Sequence, residues 1–273
     1  MKWIRTLAIY LFLLAGAVVT LGPFLLSILT AFKTSGQFAQ TNALSWPDPF
    51  TLDNFTELLT GRAEFGRAIG VTLLVAALLV AAQLVFSIMA AYAFARLEFA
   101  GRDIVFWVYL STLMIPAIVI VVPLYLMMTE AGLRNTFWGL VLPFAFASPY
   151  ATFLLREYFR GIPQELVDAA RLDGANALDV LVEIIVPLSR PIIATLLLIT
   201  VVSQWNNFLW PRIITSGNTW RPVTVATASL QSQYNGNWTL VMAATTLALV
   251  PLLALFLIFQ KQIVRSIAIT SFR

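Results

Sequence analysis

Residues Ala68–Ala95 read AIGVTLLVAALLVAAQLVFSIMAAYAFA and carry no charged side chain. An α-helix rises about 1.5 Å per residue, so about 20 apolar residues are enough to cross the hydrocarbon layer of a membrane. A segment in lipid must satisfy its own backbone hydrogen bonds, and a helix does this. The stretch therefore predicts a transmembrane helix.

The composition of the whole chain agrees with this first stretch. Of its 273 residues, 60% are hydrophobic and 11% are charged, whereas a soluble domain carries about 25% charged residues. The chain has no Cys and no His, which removes thiolate nucleophiles and the commonest general base and metal ligand. We therefore predict no catalytic residue and no metal site. The net charge of +4 is spread through short loops, which argues against a nucleic-acid partner.

Charged residues divide the rest of the chain into similar uncharged runs, which predict six membrane spans. The approximate spans are 7–31, 69–95, 104–128, 136–155, 191–211 and 239–260. The first run exceeds the core of a signal peptide, about 7 to 15 residues, so we expect a retained helix. Pro116 and Pro123 should kink the third span, and polarity before Trp238 places the start of the sixth there. The predicted fold class is an all-α integral membrane protein, with residues 1–273 as a single domain.

The basic residues predict the orientation, because Lys and Arg accumulate on the cytoplasmic side of short loops. With both termini in the cytoplasm, eleven of the 17 basic residues lie inside and six outside. The tryptophans then fall near the membrane boundaries. For Trp205 and Trp210 in the fifth run, an interfacial aromatic belt is the simpler expectation. A multi-pass membrane protein in contact with lipid, with both termini in the cytoplasm, is predicted.

The longest cytoplasmic loop in this topology, residues 161–187, is the densest in charge. Gly161-Ile162-Pro163 should end the fourth span, and Gln164–Leu172 is rich in helix formers with acidic residues in its first turns. Gly174 should end that helix, because glycine adopts the left-handed conformation of a C-cap. A second helical piece, 177–186, leads to Pro187. The 161–187 loop is therefore predicted as helix, glycine turn, helix.

The first helix of this loop is expected to expose small and apolar residues that have no core of their own: Leu166, Val167, Ala169, Ala170 and Leu172. Two interpretations fit this pattern. The helix could bind a soluble partner, or it could rest on lipid headgroups. The acidic residues of the whole loop weigh against the second interpretation, because the cytoplasmic leaflet is negative. They are Glu165, Asp168, Asp173, Asp179 and Glu183.

Two blocks of sequence resemble a known family. Asp168-Ala-Ala-Arg-Leu-Asp173-Gly174-Ala175, followed by Ile184 and Pro187, resembles the EAA signature of permease subunits in binding-protein-dependent ABC importers. The block from Gln204 to Pro211, QWNNFLWP, resembles the carbohydrate-uptake branch of that family, which includes the maltose and glycerol-3-phosphate importers. The chain departs from the family at Asp168, which is usually Glu, at Leu181, which is usually aromatic, and in its tail 264–273.

The resemblance implies that the 161–187 loop couples the membrane helices to a separate ATPase. The candidate coupling residues are Glu165, Asp168, Ala169, Ala170, Asp173, Gly174, Ala175, Leu181, Ile184 and Pro187. The resemblance also implies a location in the bacterial plasma membrane. The expected partners are a second, homologous permease, two ATPase subunits and an extracytoplasmic solute-binding protein. The expected cargo is a sugar or sugar derivative. The chain has no Gly-x-x-x-x-Gly-Lys-Ser/Thr motif, so ATP and Mg²⁺ would be used by the partner, and no cofactor is expected here.

A few polar and aromatic residues within the predicted spans are candidates for lining a solute path: Gln83, Gln204, Trp205, Asn206, Asn207 and Phe208. Polar side chains in spans also join helices to one another, and this alternative remains open for Gln83, Gln204, Asn206 and Asn207. For Trp205 and Phe208, which could stack on a sugar face, the alternative is the aromatic belt. No charged residue lies inside a predicted span, which argues against a secondary transporter because ion-coupled carriers commonly place one there. A channel subunit without an ATPase partner is a further alternative.

Overall fold

The computed structural model describes residues 2–61, 63–233 and 237–270. Every regular element in these residues is a helix, which confirms the predicted all-α class. Side chains are described throughout, except at residues 2, 232, 233 and from 261 onward. The tail whose sequence departs from the family therefore lies outside the described side chains.

The helices, in chain order, are α1 (Lys2–Ala31), α2 (Ser35–Gln40), α3 (Asp53–Thr60), α4 (Phe65–Arg96), α5 (Arg102–Ser111), α6 (Ala117–Glu130), α7 (Phe137–Val141), α8 (Pro149–Arg160), α9 (Gln164–Leu172), α10 (Ala177–Asp179), α11 (Val186–Leu188), α12 (Arg190–Trp205), α13 (Leu209–Ile214), α14 (Val223–Gln233) and α15 (Trp238–Thr270). Short 3-10 turns follow α5 and α7. A π-helical segment, Val180–Ile185, joins α10 to α11.

Five helical stretches are long and apolar enough to cross a membrane: Trp3–Ala31, Phe65–Arg96, Phe137–Arg160, Arg190–Ile214 and Trp238–Gln260. A sixth is formed by Arg102–Met114 and Ala117–Glu130 if these two helices, bent by 98°, count as one span. These stretches match the six predicted runs. The last begins at Trp238, as its sequence indicated, and residues 234–236 before it lie outside the description.

The bend in the third span has a local cause. Ile115 is extended, with φ −81° and ψ 116°, because the ring of the following proline disfavours the helical conformation of the residue before it. The predicted kink is therefore found at Pro116. Pro123, the second expected site, lies inside α6, which continues through it.

The described residues form two compact units. One contains the residues up to Gly70 together with Pro222–Leu255, and the other contains Val71–Arg221 together with the end of the chain from Phe256.

In the first unit, a buried amide holds the end of α1. Asn54 Nδ2 donates to the backbone carbonyls of Ala31 and Lys33, at 2.8 Å each, and Asn54 Oδ1 accepts from Thr239 Oγ1 at 3.0 Å. The last carbonyls of a helix have no partner within the helix. Asn54 satisfies one such carbonyl, that of Ala31, and one just beyond the helix, that of Lys33, and it ties the end of α1 to the start of α15.

Lys33, in the same unit, is fully buried. Its ammonium donates to the carbonyls of Asn42 and Ala43, at 3.0 and 3.2 Å, and to Ser45 Oγ at 2.9 Å. An ammonium has three donors, and all three are used here. Burial lowers the pKa of Lys33 from its ordinary value of 10.5, because removal from water penalises the charged form.

The second unit contains two apolar cores. The larger core joins α4, α8, α9 and α12 and includes Val80, Leu84, Ala91, Tyr92, Leu155, Phe159, Val167, Val180, Leu181, Ile185 and Leu196. The smaller core includes Val71, Leu79, Leu140, Val141, Trp210 and Ile214.

The aromatic belt expected at the fifth span is wrong for its two tryptophans. Trp205 and Trp210 are only 3% and 4% exposed. Trp210 Nε1 donates to the Gly139 carbonyl at 3.0 Å, and its ring meets Phe144 edge to face with centroids 5.8 Å apart. The physical reason is a break in the span: α12 ends at Trp205, and α13 begins only at Leu209. Hydropathy does not reveal this break, after which α13 places the Trp210 ring against Gly139 and Phe144.

Candidate docking surface and transport path

The first helix of the 161–187 loop begins where its sequence predicts. Pro163 immediately precedes α9 with an extended backbone, and Glu165 lies in the first turn while Arg171 lies in the last. This arrangement places a negative charge near the helix N-terminus and a positive charge near its C-terminus, where each interacts favourably with the helix dipole.

A glycine turn ends α9. Gly174 has a φ of +89°, a conformation that costs other residues about 1–2 kcal/mol because of the Cβ atom. The Gly174 amide donates to the Arg171 carbonyl at 3.1 Å, and the Ala175 amide donates to the Ala170 carbonyl at 2.9 Å. These two bonds define a Schellman motif, which turns the chain sharply while satisfying the last carbonyls.

The second limb of the loop restarts with its own cap. The Asn176 side chain accepts from the amides of Leu178 and Asp179, at 2.8 and 3.1 Å, while Asp179 Oδ2 accepts from the Asn176 amide at 2.9 Å. The limb continues as the π-helical segment Val180–Ile185. The sequence pattern predicted a helix here but did not distinguish the wider π turn.

The two faces of α9 differ in burial. Val167 is completely buried in the larger core, and Ala170 packs against that core. The expectation that Val167 is exposed is therefore wrong, because residues three apart on a helix share a face and this face meets α4 and α8. The opposite face is open: Leu166 and Leu172 are 45% and 89% exposed.

The predicted coupling residues fall into three groups. Those on the open side of the loop are Glu165, Asp168, Ala169, Asp173 and Gly174. Those that are half-buried beneath it are Ala170, Ala175, Ile184 and Pro187. Leu181 is 6% exposed and belongs to the larger core, so its side chain supports the loop from within.

The 161–187 loop carries a large excess of negative charge. Between residues 161 and 187 there are five acidic residues and one basic residue, Arg171. Asp168 accepts from Gln164 Nε2 at 3.0 Å, and Asp179 belongs to the cap of the second limb. The open surface is therefore acidic, with an apolar tip at Leu172.

The fourth span is broken, and polar side chains occupy the break. The Phe144 carbonyl accepts from Gln83 Nε2 at 2.7 Å, and the Ser148 amide donates to Ser87 Oγ at 2.9 Å. Gln83 and Ser87 are one turn apart on α4. Tyr109 on α5 donates its hydroxyl to the Ala147 carbonyl at 2.6 Å. Gln83 therefore bonds α4 to the start of this break, while Ser87 and Tyr109 were missed because isolated hydroxyls carry no sequence signal for such a contact.

The polar cluster of the fifth span also lies at a break. Asn206 caps the end of α12, donating its amide to the Val202 carbonyl at 3.1 Å and its Nδ2 to the same oxygen at 2.9 Å. The Asn207 amide donates to the Gln204 carbonyl at 3.3 Å. Asn206 and Phe208 are exposed, while Gln204 and Asn207 are half-buried. Trp205 packs inward, so the structure separates it from the other four candidates.

Helices that are apolar enough for a membrane yet broken along their length are typical of transport proteins. Irregular backbone at membrane depth is tolerated only where protein or a water-filled cavity surrounds it, and discontinuous helices commonly form solute sites. The fold and its polar breaks therefore define a membrane permease.

Comparison with known proteins identifies the family. The chain belongs to the family of inner-membrane components of binding-protein-dependent transport systems, whose model matches residues 83–269. It is a permease subunit and not the ATP-hydrolysing subunit, which confirms the function predicted from the EAA-like block.

Curated relatives match almost the whole chain. The permease protein of the arabinooligosaccharide transport system of Halalkalibacterium halodurans is 32% identical over 255 residues, which cover 93% of this chain and 91% of the relative. The permease protein of the sn-glycerol-3-phosphate transport system of Brucella abortus is 30% identical over 271 residues, covering 96% and 95%.

The fold matches a solved transporter. A chain in the crystal structure of a bacterial ABC transporter that imports the acidic polysaccharide alginate superposes with a TM-score of 0.82. The match covers 96% of this chain and 98% of the other, at 23% identity. This likeness shows that the chain has the fold of an ABC transporter permease.

Proposed function

We propose that this chain forms half of the translocation path of an ATP-driven importer, and that the 161–187 loop is where a separate ATPase subunit docks. The observation that carries the proposal is the two-faced burial of α9. Its inner face is fixed to the core by Val167, while Leu172 at its end is 89% exposed beside the Gly174 turn. Together with the acidic residues around it, this exposed leucine gives the anchored helix a mixed apolar and charged face that suits a complementary protein surface.

The partner surface is expected to be a groove with basic and apolar residues. The acidic residues of the loop would pair with the basic ones, and Leu172 would enter the apolar part. The same acidic charge disfavours the alternative in which the helix lies on anionic lipid headgroups.

The docking loop faces the cytoplasm in this proposal, and both termini lie on the same side. The distribution of basic residues supports this orientation, with eleven of 17 inside. The complete importer would contain a second, homologous permease, two ATPase subunits and an extracytoplasmic solute-binding protein. The family match, to binding-protein-dependent systems, supports the last of these.

The cargo in this proposal is a sugar or sugar derivative. The support comes from the relatives, whose systems carry arabinooligosaccharides and sn-glycerol-3-phosphate. Within the chain, the break of the fifth span offers Gln204, Asn206 and Asn207 as hydrogen-bonding groups and Phe208 as an apolar surface. Such a combination fits polyhydroxylated molecules. Gln83 is assigned to joining helices, because its amide already donates to the Phe144 carbonyl.

Uptake into right-side-out membrane vesicles tests the transport proposal. Labelled arabinotriose and labelled glycerol 3-phosphate would each be supplied with the binding protein, with and without ATP inside the vesicles. Uptake of one of them only with internal ATP is expected. Uptake driven by an ion gradient without ATP would instead support a secondary transporter, and passive equilibration would support a channel subunit.

A matched pair of glycine variants tests the docking surface. Gly174→Asp should insert into the membrane at the wild-type level but lose the ATPase on purification. Gly132→Asp is the control, since Gly132 also has a positive φ, of +71°, and both glycines have open space around a Cβ position. Equal retention of the ATPase by the two variants would contradict docking at this loop.

A further inference from the structure

We propose that Arg96, the last residue of α4, is a positioning residue that locks α9 to the second span, so that movement of the docking loop is transmitted to that span. The inference rests on the proposed docking of the ATPase at α9. In this proposal the Arg96 guanidinium is the mechanical connection between the 161–187 loop and α4.

The Arg96 guanidinium binds both sides of the turn that joins α8 to α9. Its Nη2 donates to the carbonyls of Phe159 and Ile162, and its Nη1 donates to Gln164 Oε1. Phe159 lies in the last turn of α8, and its carbonyl also accepts from the Ile162 amide at 3.2 Å, so the guanidinium adds a side-chain bond to the backbone bonds at this helix end. Arg96 therefore caps α8 and holds the first residue of α9 with the same planar group.

The connection continues from Gln164 into the coupling motif. Gln164 Nε2 donates to Asp168 Oδ1 at 3.0 Å, one turn further along α9. Arg96, Gln164 and Asp168 thus form a continuous polar chain from the end of the second span to the first acidic residue of the EAA-like block. If Asp168 moves when the ATPase docks, the hydrogen bonds through Gln164 transmit that displacement to Arg96.

Apolar packing alone would not make this connection rigid. Val167 and Ala170 of α9 pack against a core that contains Ala91 and Tyr92 of α4. Such contacts are non-directional, so they resist separation of the helices more than rotation of one against the other. A guanidinium presents its donors in a fixed plane, and three acceptors on two sides of a turn define one orientation of α9.

The test is the ratio of solute uptake to ATP hydrolysis in proteoliposomes that contain the complete importer and its binding protein. Arg96→Gln should still assemble with the ATPase and hydrolyse ATP, while uptake per ATP falls by about fivefold or more, the scale of a typical coupling energy. Arg96→Lys, which keeps the charge but not the planar fork, should recover only part of the ratio.

A control and a second variant make the outcome decisive. Arg102→Gln removes a neighbouring arginine that bonds to the Leu97 carbonyl and to Asp103, and it should leave uptake per ATP unchanged. Gln164→Ala should lower the ratio, and adding it to Arg96→Gln should lower the ratio no further, because both variants cut one chain of bonds. If Arg96→Gln does not assemble, Gln164→Ala alone decides.

The proposal is overturned if the Arg96→Gln importer, or the Gln164→Ala importer where only that one assembles, has the wild-type ratio of uptake to ATP hydrolysis. Failure of the docking proposal has a different signature. A Leu172→Asp variant changes only the open face of α9, and if it retains the ATPase and full uptake, the ATPase does not dock at this loop. If the Arg96→Gln importer keeps the wild-type ratio of uptake to ATP hydrolysis while the Leu172→Asp variant loses the ATPase, the proposed role of Arg96 is rejected and the docking proposal stands.

Discussion

At the residue scale, two buried polar side chains of the first unit, Asn54 and Lys33, make well-defined hydrogen bonds to the backbone. Asn54 and Lys33 each satisfy several backbone carbonyls at the end of α1 and in the loop that follows. Neither was singled out by its sequence, because Asn and Lys are ordinary residues in a hydrophilic loop. Only the fold brings the carbonyls of Ala31 and Lys33 within reach of Asn54.

Replacing Asn54 by Ala should destabilise the protein by about 1–3 kcal/mol, because it removes the side-chain donor of the Ala31 and Lys33 carbonyls. The measurement is the thermal unfolding temperature of the purified protein in detergent. Thr56→Ala is the control, since the Thr56 hydroxyl only bonds to the Leu52 carbonyl of its own helix at an exposed position. Equal unfolding temperatures for the two variants would show that the Asn54 bonds contribute nothing.

Lys33 predicts a dependence of stability on pH. Its folded pKa lies below the 10.5 of the free side chain, so as pH rises the folded protein releases this proton before the unfolded protein does. Stability relative to a Lys33→Met variant should therefore be constant below the folded pKa and should rise with pH between the folded pKa and 10.5. Unfolding temperatures of both proteins from neutral pH to 10.5 measure this. A constant difference, or one that shrinks with pH, would contradict the lowered pKa.

At the scale of elements, the spans were predicted well and their interruptions poorly. The six apolar runs correspond to the helical stretches that are long enough to cross a membrane, because hydropathy reports transfer from water to lipid. The breaks before Pro116 and Pro149 have a local sequence cause, because Ile115 and Ser148 are each extended ahead of a proline. The sequence does not show that Ser87 and Tyr109 reach the freed backbone at 147–148 from other helices. The break at 206–208 has no proline directly after it.

Replacing Gln83 by Leu tests whether this residue joins helices or lines the path. The Phe144 carbonyl would lose its donor, so we expect a loss of about 1–3 kcal/mol in stability, with an unchanged KM for the transported solute. Thermal unfolding and uptake kinetics measure the two effects. Gln231→Leu, at an exposed position of α14, is the control. A raised KM with unchanged stability would instead place Gln83 in the solute path.

At the scale of the whole molecule, the orientation in the membrane can be measured directly. The chain contains no cysteine, so a single introduced cysteine reports one position without a background. Leu172 and Leu44 are 89% and 76% exposed and belong to loops that the basic residues place on opposite sides of the membrane.

A membrane-impermeant maleimide should label Leu172→Cys in inside-out vesicles and Leu44→Cys in intact spheroplasts. Each should remain unlabelled in the opposite preparation. Adding the ATPase should protect Leu172→Cys and leave Leu44→Cys reactive. Labelling of Leu172→Cys in intact spheroplasts would show that the 161–187 loop faces the outside, which would contradict the proposed orientation and the proposed docking of the ATPase.

The sequence by itself determined the membrane location, the spans and the helix–glycine–helix form of the 161–187 loop. These follow from local properties: apolar length, the distribution of charge, and the backbone preferences of Gly174 and Pro163. The tertiary structure decided which face of α9 is open, where the tryptophans of the fifth span point, and that Arg96 holds both α8 and α9. Those features depend on residues far apart in the chain, such as Arg96 and Gln164, whose contact no local pattern records.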